Sequence, residues 1–188
     1  MEPVLISTLV VALAEMGDRT QLLAMVLASR FHRPVPILAG ILVATLADHG
    51  LAATVGYFAA DLLKGRWFQY LLAASFVATA IWTLVPDKDE DAPSQASHFG
   101  VFMTTAIAFF IVEMGDKTQI ATVSLAARFH NILLVAAGAT LGMMAANIPA
   151  VLLGRAATRL VPLRLLRLAA AALFIGLGAW TLIETIRG

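Results

Sequence analysis

Six long apolar stretches set the strongest limit on how this chain can fold. Each has about 20 or more mainly apolar residues, the length that a helix needs to cross the hydrocarbon core of a membrane. The chain is 60% hydrophobic and 13% charged, with a mean hydropathy of +0.87, whereas a soluble domain carries about 25% charged residues. We therefore expect an all-α membrane protein with six spans, at about residues 3–28, 35–60, 67–85, 99–127, 132–157 and 161–186.

The remaining composition narrows the chemistry. The chain has no cysteine, which excludes disulfides, thiolate metal sites and cysteine nucleophiles. Its net charge of +1 gives no support for nucleic-acid binding. The first three residues, Met1, Glu2 and Pro3, lack the basic region of a cleavable signal peptide, so we expect the first apolar stretch to stay in the mature protein.

The second half of the sequence repeats the first without gaps at an offset of 98 residues. Residues 15–20 read Glu-Met-Gly-Asp-Arg-Thr and residues 113–118 read Glu-Met-Gly-Asp-Lys-Thr. Of the 18 positions from 15 to 32, 11 are identical in the copy, which indicates duplication of a three-helix unit. We expect a first three-helix repeat at 1–86, an acidic cytoplasmic linker at 87–98 and a second three-helix repeat at 99–188.

The odd number of spans in each repeat determines their relative orientation. The second repeat enters the membrane from the opposite side, and such inverted repeats are typical of secondary transporters. The two copies of the motif can then meet near the membrane midplane. Seven Lys and Arg residues lie near span ends on one side and four on the other, so the positive-inside rule predicts that both termini lie outside the cytoplasm.

Each motif places two carboxylates in apolar surroundings, where ionisable groups are costly and are a functional hypothesis by default. On a continuous helix, Glu15 and Asp18 would project from one face with Arg19 beside them. Gly17 permits either close packing or a local break, and a break would free backbone carbonyls as ligands. The oxygen-bearing side chains suit Mn²⁺, Mg²⁺ or Ca²⁺ and are Glu15, Asp18, Glu113, Asp116, Thr20, Thr118, Gln21 and Gln119.

Formal charge suggests how such a site could work. Each motif sums to −1 and the pair to −2, which one divalent cation or two protons would neutralise. An exchange of cation against protons is therefore a natural hypothesis. We expect Arg19 and Lys117 to orient the carboxylates rather than to contact a cation. The alternative, in which the acids only pair with these cations to hold helices together, stays open.

A second polar pair makes the two repeats unequal. Asp48 and His49 lie in the second span, and their repeat partners are Ala146 and Asn147. Asp48 and His49 could relay protons or add a ligand on one side only. They could equally be a locally satisfied pair at a helix bend near Gly50. The amide of Asn147 could add a further ligand.

The paired motifs, of the form E-x-G-D-[K/R]-[T/S], resemble those of the calcium/manganese–proton exchanger family, which includes bacterial manganese exporters and Golgi and chloroplast manganese/calcium transporters. The likeness covers essentially the whole chain. It implies export of Mn²⁺, or secondly Ca²⁺, across a bacterial inner membrane in exchange for protons or another cation, with no permanently bound cofactor. It also implies a cation site formed by Glu15, Asp18, Glu113 and Asp116, with Thr20 and Thr118 nearby.

Two other functions stay open on the residues alone. A six-helix exporter of small molecules such as amino acids would use the carboxylates to bind an amine, and a cation channel would conduct without coupling. An enzyme is not expected, because the sequence contains no nucleophile–base pairing, phosphate loop or zinc-protease motif. The oligomeric state is also open and includes a homo-oligomer.

Overall fold

The computed structural model of this protein describes residues 1–63, 65–85, 100–153 and 163–187. Over these ranges the chain forms eight α-helices and no strand, which confirms the all-α prediction for the described residues. The predicted acidic linker at 87–98 lies outside them. The helices are α1 (Glu2–Glu15), α2 (Arg19–Phe31), α3 (Pro34–Leu62), α4 (Arg66–Leu84), α5 (Gly100–Glu113), α6 (Lys117–Phe129), α7 (Ile132–Leu153) and α8 (Leu163–Arg187).

The helix ends follow the sequence repeat. We call α1–α4 the first half and α5–α8 the second half; α1, α2 and α3 begin 98 residues before α5, α6 and α7. The turns repeat too, because His32 and His130 end α2 and α6 in the left-handed conformation. Each donates its N–H to the carbonyl four residues earlier, at 3.0 and 2.9 Å, which closes the helix.

Of the two options left open at Gly17, close packing or a local break, the structure has the break in both motifs. We call residues 16–18 and 114–116 the helix breaks, because α1 and α5 end just before them and α2 and α6 begin just after. Gly17 and Gly115 have φ values of +81° and +82°, which only glycine adopts without steric cost. Asp18 and Asp116 then take the N-cap position of the following helix. The face that Glu15 and Asp18 would share on a continuous helix is therefore absent.

Four described helices are long and apolar enough to cross a membrane by length and composition, namely α3, α4, α7 and most of α8 (Arg164–Arg187). The helix α5 is also apolar but has 14 residues, so it is about 21 Å long at 1.5 Å per residue. This is less than the roughly 30 Å of a bilayer core. Pro149 lies inside α7, and the helix continues through it.

Helices of each half pack against helices of the other half. In the described residues α1 lies along α7, α5 lies along α3, α4 lies along α8, and α3 contacts α7. Glycines allow the first two contacts to be close: a Cβ on Gly40 would lie 2.7 Å from the Phe102 carbonyl oxygen, and one on Gly138 2.5 Å from that of Val4. Both glycines and both partners are 98 residues apart, so the contacts are equivalent. Equivalent reciprocal contacts are the mark of an approximate twofold relation.

The surface of the described residues is apolar and part of the interior is polar. Large side chains such as Leu62 and Leu133 are 81% exposed, and similar residues cover much of α3, α4 and α8. Many buried residues are polar or charged, including Ser7, Thr45 and Thr122. This distribution is unfavourable in water and is expected where lipid is the solvent.

Candidate cation-binding site

The helix breaks bring the four predicted carboxylates into the interior, where the two halves meet. Glu15, Asp18, Glu113 and Asp116 are each no more than 1% exposed. One oxygen from each of Glu15, Glu113 and Asp116 lies within 4.8 Å of the other two, which is close enough to share a metal ion. We call the four side chains Glu15, Asp18, Glu113 and Asp116 the central carboxylates.

Two ion pairs join the motif of one half to the motif of the other. Arg19 Nη2 lies 3.2 Å from Asp116 Oδ1 and also donates to the carbonyl oxygen of Val112 at 3.0 Å. Lys117 Nζ makes the equivalent contact to Asp18 Oδ1. Each cation therefore holds the aspartate of the other half, and not the glutamate of its own motif as a continuous helix would suggest.

The threonine hydroxyls contact the glutamates. Thr20 Oγ1 donates to Glu15 Oε2, and Thr118 Oγ1 donates to Glu113 Oε1, each at 2.5 Å. The other oxygen of each glutamate, Glu15 Oε1 and Glu113 Oε2, is buried without a hydrogen-bond partner among the described residues. A buried unsatisfied group costs about 1–3 kcal/mol, and more when it is charged. A bound cation could satisfy both acceptors.

The glutamine amides hold the breaks, and their oxygens are already used. Gly17 N–H donates to Gln21 Oε1 at 2.9 Å, and Gly115 N–H donates to Gln119 Oε1 at 2.7 Å. Each amide oxygen has a second lone pair, so the prediction that these amides supply ligand oxygens stays a prediction. The amide nitrogens differ between the halves, because Gln21 donates to the backbone of Ala146 whereas Gln119 donates to a side chain described next.

The polar pair on α3 lies next to the central carboxylates. Asp48 and His49 are fully buried, and each offers a ligand atom within 4.8 Å of one on Glu113. Asp48 Oδ1 accepts from Gln119 at 2.6 Å, but Asp48 Oδ2 and His49 Nε2 have no hydrogen-bond partner in the described part of the chain. The same is true of Asn147 Oδ1 on α7. A locally satisfied pair is therefore not what the structure contains.

From the sequence, Arg167 counted only among the basic residues near span ends that predict the orientation. Arg167 on α8 reaches the carbonyl oxygen of Gly17 at 3.4 Å, so it contacts the first helix break. Its repeat partner is Gln69. Arg167 is charged and Gln69 is not, although the two positions are aligned in the repeat. This difference was the signal that could have identified Arg167.

The repeated, buried carboxylates find a counterpart in known proteins. Residues 3–91 and 101–188 match the family model described as "Divalent cation/proton antiporter GDT1". The chain belongs to the GDT1 family. The resemblance predicted from the two motifs is thereby confirmed, and the family is one of membrane transporters and not of enzymes.

Relatives of this GDT1 protein occur in bacteria and plants. A Vibrio cholerae protein described as "Putative manganese exporter" is 47% identical over 176 residues, covering 93% of this chain and 88% of the relative. GDT1-like protein 5 of Arabidopsis thaliana is 26% identical over 212 residues, covering 93% and 92%. A GDT1-like protein of Synechocystis is 29% identical over 168 residues, covering 78% and 80%. No solved structure matches this chain.

Proposed function

We propose that this GDT1 protein exports a divalent cation, Mn²⁺ first and Ca²⁺ second, from the cytoplasm in exchange for protons or another cation. The proposal rests above all on one observation: Glu15 and Glu113 each present a buried, unpartnered carboxylate oxygen where the halves meet. Cation transport itself follows from family membership. The substrate, its direction and the mechanism are what we propose.

We assign the cation to the two glutamates, with Asp116 beside them and Asp18 held by its cross-half cation. Thr20 and Thr118 fix one oxygen of each glutamate, which points the other inward. The formal charge of four carboxylates and two cations is −2, so one divalent ion or two protons would leave the site neutral. Alternation between these two loads would spare the protein a buried net charge, which is costly in a membrane. This charge balance supports exchange rather than uniport.

We propose that six segments cross the membrane as two inverted three-helix repeats. Four long helices account for four of them. The pairs α1–α2 and α5–α6 would form the other two as broken spans, because α5 alone is about 21 Å long. The reciprocal contacts of Gly40 and Gly138 support an axis that relates the halves. Broken helices at an inverted-repeat interface are a recurrent plan of secondary transporters.

The proposed orientation places both termini outside the cytoplasm of a bacterial inner membrane, with residues 87–98 as a cytoplasmic linker between the repeats at 1–86 and 99–188. It rests on the excess of basic residues near the span ends of that side. Mn²⁺ is placed before Ca²⁺ because a relative that is 47% identical is described as a manganese exporter. The proposed site also has the imidazole of His49 close to Glu113, and a nitrogen ligand suits Mn²⁺ better than Ca²⁺.

Transport in liposomes tests the proposal. Purified protein is reconstituted into vesicles that are acidic inside, with the membrane potential clamped, and Mn²⁺ uptake is followed. We expect Mn²⁺ to accumulate above its external concentration, with release of protons, and Glu113→Gln to abolish uptake. Glu2→Gln is the matched control, because Glu2 is exposed at the start of α1.

Three results would contradict the proposal. Uptake that never exceeds the external concentration, whether the vesicles are loaded with protons or with another cation, would indicate a channel. Competition by an excess of an amino acid would indicate a small-molecule exporter. Full activity of folded Glu113→Gln would remove the site assignment.

A further inference from the structure

Beyond the central carboxylates, one part of the interior is built differently in the two halves. Asp48 and Ala146 are repeat partners, and each accepts a hydrogen bond from a glutamine amide nitrogen. Gln119 donates to the side chain of Asp48, and Gln21 donates to the backbone of Ala146. For Gln21, the backbone carbonyl of Ala146 at 3.0 Å is a sufficient acceptor. The bond that Asp48 makes at 2.6 Å is therefore not needed to hold the break, and its carboxylate requires another explanation.

Three side chains that each carry an unpartnered ligand atom lie close together at this place. Asp48 Oδ2, His49 Nε2 and Glu113 Oε2 are buried without hydrogen-bond partners among the described residues. These three side chains are 0%, 0% and 1% exposed, and each offers a ligand atom within 4.8 Å of the other two. At about 1–3 kcal/mol for each unsatisfied group, such a cluster is costly unless something binds there. Two carboxylate oxygens and an imidazole nitrogen match a divalent transition metal.

The contact on the far side of His49 fits metal binding. Its Nδ1 lies 3.3 Å from Thr140 Oγ1 on α7. In the tautomer in which Nδ1 donates to this hydroxyl, Nε2 carries the lone pair and is available as a ligand. Metal-binding histidines usually have their second ring nitrogen fixed in this way. In the second half the equivalent position is Asn147, whose amide nitrogen donates to Met143 O and which has no ring nitrogen to offer.

We propose that Asp48, His49 and Glu113 form a second, one-sided position for the transported cation, which shares Glu113 with the central carboxylates and is occupied alternately with them. The inference rests on the proposed function and adds a residue that determines specificity. His49 supplies a nitrogen ligand, which favours Mn²⁺ over Ca²⁺ and Mg²⁺, because the latter two prefer oxygen. The nitrogen is present on one side only, so the two routes to the centre are chemically unequal.

Pulsed electron paramagnetic resonance of bound Mn²⁺ tests the nitrogen ligand directly. Detergent-purified full-length protein with one equivalent of Mn²⁺ should show coupling to a nitrogen nucleus. The coupling should disappear in His49→Asn, which installs the residue of the other half. It should persist in His130→Asn, because His130 is 46% exposed and pairs with Asp61. Bound Mn²⁺ without nitrogen coupling in the unsubstituted protein would overturn the inference, and this result needs no variant to fold.

Competition and transport give the second arm. In the double variant Asp48→Ala/His49→Asn, the Ca²⁺ concentration that displaces half of the bound Mn²⁺ should fall at least about tenfold. An unchanged value would also overturn the inference. Failure here leaves the proposed function standing as long as the unsubstituted protein accumulates Mn²⁺ and Glu113→Gln does not. If the unsubstituted protein neither binds nor transports Mn²⁺, both proposals fall.

Discussion

Replacing Lys117 with methionine tests how the two halves are joined at the site. The Lys117–Asp18 pair is the more deeply buried of the two crossed ion pairs, with side chains 4% and 0% exposed. Methionine keeps most of the length and volume of the lysine but leaves Asp18 without this buried cation. Breaking a buried pair by removing one partner costs about 3–5 kcal/mol, because the remaining charge is uncompensated. For a chain of this size, about 2–4 °C of melting temperature corresponds to 1 kcal/mol. We therefore expect a fall of about 6–20 °C.

The assay is thermal unfolding of detergent-purified protein in the absence of divalent cations. Three comparisons make the result specific. Asp18→Asn combined with Lys117→Met should recover at least half of the loss, since replacing both members of a buried pair is often close to neutral. Arg19→Met should cost less, because the Arg19 side chain is 24% exposed and water can reach the vacated space. Arg66→Met, at an exposed position at the start of α4, should change stability by less than about 0.5 kcal/mol.

Two outcomes would refute this reasoning. A fall in melting temperature of less than about 3 °C for Lys117→Met would mean that the buried pair is not coupled to folding. A double variant as unstable as the single would mean that the lysine acts through packing and not through the charge of Asp18. Addition of Mn²⁺ provides a further check. The single variant has one more unit of negative charge at the site, so the cation should restore more stability to it than to the unsubstituted protein.

Three further predictions follow from the geometry around the breaks. Gly56→Ala should lower the melting temperature, because its Cβ would overlap the backbone of α6 and overpacking costs about 1–3 kcal/mol or more. Gly50→Ala is the control on the same helix. Its Cβ would meet nothing within 4 Å, so the variant should gain about 0.5–1 kcal/mol of stability. Gly115→Ala should cost about 1–2 kcal/mol in thermal unfolding through its positive φ alone, since no atom lies within 4 Å; an unchanged melting temperature would contradict this. Thr118→Val should reduce Mn²⁺ transport at least about tenfold by releasing its partner glutamate. Thr122→Val should transport normally, because among the described residues the Thr122 hydroxyl bonds a carbonyl of its own helix.

The sequence predicted the helical regions well because lipid leaves few alternatives. An apolar stretch of sufficient length can satisfy its backbone in a bilayer only as a helix or in a closed barrel. Thus α3 and α4 begin and end within two residues of the predicted spans at 35–60 and 67–85. The breaks were only one of two options, because glycine in a membrane helix serves both packing and positive φ. Gly40 does the first and Gly17 the second, and nothing in the local sequence distinguishes them.

The crossed ion pairs could not be obtained from spacing. Residues three and four apart contact each other on a helix, so the sequence placed Arg19 beside the acids of its own motif. The break removes that geometry, and the twofold packing brings Asp116 of the other half within 3.2 Å instead. Pairing across the halves depends on tertiary packing, which a single motif does not contain. Asp48 was recognisable as an asymmetry, but its proximity to Glu113 is likewise a product of α3 packing on α5.

The unequal halves have a consequence for how exchange could be driven. If the two halves were inverted as proposed and also identical, the inward-open and outward-open states would be equivalent by symmetry, and the cation would bind both with equal affinity. A ligand with equal affinity for two states shifts neither. In the proposed arrangement, the one-sided Asp48 and His49 remove that equivalence, since only one of the two proposed routes to the centre passes a nitrogen ligand. A tenfold difference in Mn²⁺ affinity between the two states would bias their equilibrium by about 1.4 kcal/mol. The asymmetry on α3 is therefore a physical means by which a symmetric scaffold could favour loading of Mn²⁺ on one side of the membrane.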